Sequence, residues 1–148
     1  MNIYSIFVHI HSGLRWLILL FIIISIVNAA SKLSGKSDSN LKDSLFNRLA
    51  LIFMHLQLLL GLVLYFISPK VIFETNSMKD SLLRFFLVEH IGLMIIAVIL
   101  ITIGYVKFDR AGDETKKHKH IVVYYSIAFF LILVAIPWPF RGFGAGCF

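Results

Sequence analysis

Four apolar runs, at 14–30, 49–67, 85–106 and 121–140, alternate with short polar stretches along the chain, and each is nearly free of charge. The first extends back toward residue 3. A bilayer core needs about 20 apolar residues per helix, and the runs meet or approach that length. They are rich in Leu and Ile and lack the alternation that marks each strand of a membrane barrel. Helices satisfy their backbone hydrogen bonds internally, as lipid demands. The pattern predicts helices over about 4–30, 46–68, 82–107 and 120–140. Short connections make consecutive helices antiparallel. The expected fold is all-α: an integral membrane up-down four-helix bundle with four transmembrane helices in a single domain spanning 1–148.

The connections suit that reading. Residues 34–40 are polar turn material. Ser68-Pro69 stops the second helix, and 77–81 offers a cap for the third. Pro137-Trp138-Pro139 ends the fourth, with Trp138 suited to a membrane interface.

Composition agrees. The chain has 148 residues, 59% of them apolar, and a mean hydropathy of +0.88, which leaves little for a separate soluble domain. Arg15 and Val27-Asn28-Ala29 outline a cleaved leader. The Phe-, Ile- and His-containing segment before Arg15 makes a poor n-region, however, so the run reads as a membrane helix. The single cysteine, Cys147, has no internal disulfide or zinc-ligating partner. It is next to last, outside a prenylation signal.

The net charge of +6 lies mostly in two loops. Residues 31–48 and 107–120 together hold nine of the 14 Lys and Arg residues. In a membrane protein this bias reports topology and contact with anionic lipid rather than nucleic acid. It places both loops in the cytoplasm and both termini outside, in a plasma-type or inner membrane. His118 and His120 fall in the second loop among lysines and read as a solvated basic segment.

Ionisable residues inside the runs carry the chemistry. His11, Arg15, His55, Glu89 and His90 lie within or beside apolar sequence, where such groups are costly and mark functional sites. His11 and His90 each fall about 10 Å inside the same end of their helices, at about 1.5 Å per residue. First and third helices are diagonal neighbours in an up-down bundle, so two imidazoles can hold one flat ring between them, as axial ligands hold haem. Arg15, one turn after His11, suits a haem propionate, a quinone oxygen or an ion pair with Glu89. His55 lies nearer the cytoplasmic side and has no partner on the fourth helix. It reads as an interhelical hydrogen bond, part of a quinone pocket or a replacement ligand. Met94 reads mainly as packing, and His9 faces elsewhere. Gly13, Gly61, Gly92 and Gly104 offer small surfaces for close helix approach or a flat cofactor.

Four stretches together resemble a small bacterial family of four-helix membrane proteins labelled cytochrome b-like. They are His11-Ser12-Gly13-Leu14-Arg15-Trp16, 55–61, Glu89-His90-Ile91-Gly92-Leu93-Met94 and Ile136-Pro137-Trp138-Pro139-Phe140. The design is more loosely similar to the cytochrome b561 group and to succinate dehydrogenase membrane anchors. The resemblance implies one haem b and electron transfer, with quinone or a redox protein as partner. Two-haem members of the looser group use four paired histidines, whereas this chain offers three at depth. The expectation is therefore an electron carrier or subunit of a larger assembly, oligomeric or not, rather than a stand-alone enzyme. The alternatives are a non-redox accessory membrane subunit and, ranked last, a proton-handling or transport protein.

Overall fold

The computed structural model describes residues 2–35 and 40–143, apart from the side chain of Thr75. Four long helices make an antiparallel bundle: α1 (Ile3–Gly35), α2 (Leu41–Ile67), α3 (Ser81–Arg110) and α4 (Glu114–Ala135). Each is long and apolar enough to cross a membrane, and the chain is a multi-pass membrane protein. Large apolar side chains such as Leu20, Leu59, Ile99 and Phe130 point outward, as lipid-facing surfaces do.

Local chemistry sets the helix ends. The Asn40 side chain accepts from the Asp43 amide at 3.0 Å, while the Asp43 carboxylate accepts from the Asn40 amide at 2.8 Å. This reciprocal cap starts α2 five residues before the expected boundary. Ser68, followed by Pro69, closes it. Asp80 caps α3 through the amides of Leu82 and Leu83. Asp113 caps α4 through Lys116, so α4 begins at Glu114 rather than near 120. His118, expected in a solvated loop, is therefore helical and buried against Phe108.

The helices stand in ring order, with α1 against α2 and α4, and α3 against α2 and α4. This leaves α1 and α3 diagonal. Ile18, Ile22, Met54, Ile101, Ala128 and Ile132 fill the middle of the bundle. At the basic end, Lys32 pairs with Asp43, and the Tyr125 hydroxyl donates to the Asn47 carbonyl at 2.9 Å. Helices α3 and α4 approach closely at Gly104, where a Cβ would lie 2.7 Å from that of Tyr124.

At the opposite end α4 stops early. Pro137 and Pro139 have no amide hydrogen to give the carbonyls of Leu133 and Ala135 four residues back. Side chains supply the missing donors. The Trp138 indole donates to Leu133 at 2.9 Å, and the ring of His90 on α3 bonds Ala135 at 2.7 Å. The chain then crosses the bundle end, with Trp138 packing on Trp16 and Phe143 stacking on Phe85 at 4.4 Å.

Candidate functional site

Because α4 ends at the level of His90, the bundle beyond it is walled mainly by α1, α2 and α3. A cavity of about 240 Å³, not sealed on all sides, fills this space. His11, Arg15 and His90 all line it. So do Gln57, Gly61 and Met94.

His11 and His90 meet across the α1–α3 diagonal, with ring centroids 6.4 Å apart and planes at 65°. An imidazole nitrogen binds a first-row metal at about 2 Å, and the ring centroid lies about 1 Å behind it, so opposed ligands of one ion have centroids about 6 Å apart. The observed pair has that spacing. The His90 Nδ1 faces the Ala135 carbonyl, which can only accept, so Nδ1 is the donor, and in the neutral ring Nε2 then holds the free lone pair. A ring nitrogen anchored on a carbonyl is the usual support for a metal-binding histidine.

A local distortion aims His90. Residues Phe85–Glu89 form a π turn, and the His90 amide donates to the Phe85 carbonyl. One extra residue in the turn rotates all that follows, and π turns often mark functional sites. The same widening brings Arg84 and Glu89, five residues apart, into an ion pair at 2.8 Å. Glu89 thus pairs along its own helix at the half-exposed surface, rather than with Arg15 across the bundle.

His11 is held by α2. Gln57 Nε2 donates to the His11 carbonyl at 2.9 Å. A Cβ on Gly61 would lie 3.2 Å from His11 Cε1, so this glycine makes room for the ring. Among the other glycines named above, Gly104 serves the α3–α4 contact, while a Cβ on Gly13 or Gly92 would meet nothing within 4 Å. The His11 Nδ1 is buried without a hydrogen-bond partner. Arg15, one turn along, lies over the Trp16 ring at 5.3 Å.

His55 is apart from this group. It is exposed on α2, outside the cavity lining, and its Nδ1 bonds the Leu51 carbonyl of its own helix at 2.8 Å. His9 is also exposed. The site residue that sequence reasoning passed over is Gln57. Its signal was a lone amide within an apolar run, which reads as a polar group needing partners. Among the described residues, no three His, Cys, Asp or Glu side chains gather as a bare metal site. A metal between His11 and His90 needs its remaining ligands from elsewhere, which a macrocycle provides. Cys147 lies outside the described residues. Compared with known protein families, curated proteins and solved structures, the chain matches none.

Proposed function

We propose that this chain is a cytochrome b-like electron carrier of the bacterial inner membrane, binding one haem b through His11 and His90. The observation that carries the reading is the imidazole pair, at the 6.4 Å separation suited to one shared ion, with His90 anchored on Ala135. The donor set fits the group: two imidazoles meeting across the α1–α3 diagonal, a mainly apolar lining, and Arg15 beside them to meet a carboxylate. A porphyrin is larger than the enclosed volume and requires the cavity's open side. Bound there, haem supplies one-electron redox chemistry; with two protein ligands it lacks an open position for oxygen. The protein's part is to hold the ligands, exclude water and offer Arg15 to a propionate or quinone. Quinone or another redox protein is the natural partner. The basic loops face the cytoplasm and both termini lie outside.

A spectrum of the purified protein tests this. Expression with ample haem should give a sharp reduced-minus-oxidised b-type α band. His11→Ala and His90→Ala should each abolish it, whereas the exposed His55→Ala should retain it. A folded but colourless wild-type protein would sink the reading.

One observation favours a second reading, a non-redox accessory subunit. The same His90–Ala135 and Gln57–His11 bonds tie helices together without any cofactor. On that reading His90→Ala weakens the bundle of an already colourless protein.

A further inference from the structure

At the basic end of the bundle, cations without counter-ions gather on one lateral face of α3 and α4. Lys107, Lys116 and Lys119 are exposed there, and among the described residues none of them pairs with a carboxylate. Lys32 and Lys117, at the same end, are matched by Asp43 and Glu114. Helical spacing aligns the unmatched group, because Lys116, His120 and Tyr124 follow one another at four-residue steps along α4. Lys107 reaches across from α3, its ammonium 5.4 Å from the centre of the Tyr124 ring. The His120 ring stands 6.2 Å from the same ring, and the charges of all three lysines act on it. Tyr124 is fixed in turn, since its Cβ lies against Gly104 where the two helices approach closely. Like charges held together repel, and an anion among them removes that repulsion. Toward the middle of the bundle the same face turns apolar. Ile103 and Ile99 follow Lys107 at four-residue steps on α3, Ile127 follows Tyr124 on α4, and all three isoleucines are exposed. The strip from Lys107 to Ile99 runs about 12 Å along the helix. A cationic seat above an apolar strip matches an amphiphile with an anionic head.

We infer that this face seats one anionic phospholipid, its phosphodiester among Lys107, Lys116 and His120 and an acyl chain along Ile99, Ile103 and Ile127. Ammonium and imidazole N–H groups donate to the free phosphodiester oxygens, and basic pockets between transmembrane helices bind acidic head groups. The loop charge as a whole draws anionic lipid toward this end without choosing a place. The α3–α4 face differs in offering a single molecule a defined seat. Its apolar strip favours lipid over free phosphate, which would leave the strip uncovered. No cavity residue takes part, so the seat is independent of haem and of the side of the membrane it faces.

The test is native mass spectrometry of the full chain, delipidated in detergent, with phosphatidylglycerol or phosphatidylcholine of the same acyl chains added back. Wild type should retain one phosphatidylglycerol and bind phosphatidylcholine far less. The double variant Lys107→Gln/Lys116→Gln should weaken phosphatidylglycerol binding about 10- to 30-fold. Lys36→Gln/Lys42→Gln removes the same charge from the other basic connection and should leave binding unchanged. Lys107 and Lys116 are exposed, so their variant should keep its helicity by circular dichroism. Inorganic phosphate at the concentration of the lipid should not displace it. Equal retention of the two lipids, or none of phosphatidylglycerol, overturns the proposal. So does equal weakening by the two double variants, which would reduce the effect to net charge. Displacement of the lipid by inorganic phosphate overturns it in favour of a free-anion site.

Discussion

At Gly61 the site depends on a missing side chain. A Cβ there would stand 3.2 Å from His11 Cε1, so the imidazole must give way by a few tenths of an ångström. Gly61→Ala should lower the haem-to-protein ratio, and Gly61→Val should lower it further, while helicity by circular dichroism stays constant. Full haem occupancy in Gly61→Val would show that the ring tolerates displacement. The candidate residues His11, Arg15 and His90 were legible because charge and imidazole are rare in apolar sequence. Rotation about each helix was not. From residue 49 onward α2 carries apolar side chains on every side, so nothing in its pattern shows that Met54 and Gln57 face inward while His55 faces out. Partner choice was equally hidden: Glu89 found Arg84 because of a π turn that no residue preference announces.

At the scale of elements, the Pro137-Trp138-Pro139 segment joins helix termination to the site. Its stopping role was readable from the prolines. The consequence, that the carbonyl freed by Pro139 anchors His90, required the juxtaposition of α3 and α4. Pro139→Ala restores an amide hydrogen at the position that normally bonds Ala135, allowing α4 to extend and compete with His90. Loss of such an anchoring bond weakens metal binding about 10- to 100-fold. Haem should therefore transfer to excess apo-globin correspondingly faster from Pro139→Ala than from wild type. An unchanged rate would show that the Ala135 carbonyl does not support the ligand. The α3–α4 contact makes a separate prediction. A methyl at Gly104 would fall 2.7 Å from the Tyr124 Cβ, with the buried Tyr125 ring also close. Overpacking of this kind costs about 1–3 kcal/mol. Gly104→Ala should unfold earlier in a detergent denaturation series without changing the spectrum of any bound haem.

At the scale of the whole molecule, the bundle separates two polar ends with a mainly apolar middle. Ile18, Ile22, Met54, Ile101 and Ala128 lie between the Lys32–Asp43 pair and the His11–His90 pair. The helix count and antiparallel order were legible because lipid permits few ways to cross it. The position of the site along the bundle followed from helix direction and rise per residue. The side of the membrane proposed for it rests on charge. Nine of the 14 Lys and Arg residues lie in the helix ends and connections away from the cavity, and ends so enriched are the ones expected in the cytoplasm. On the proposed haem reading, electrons would then enter and leave at the outer half of the bilayer, without a relay across the apolar layer. The single native cysteine makes this orientation measurable. Cys147 follows α4 in the chain, so in spheroplasts a membrane-impermeant maleimide should label it without permeabilisation. In a Cys147→Ser background, Gly112→Cys, in the connection between α3 and α4, should be labelled only after permeabilisation. The opposite pattern at both positions would invert the protein and place the His11–His90 site on the cytoplasmic side, where its partners would have to be sought instead.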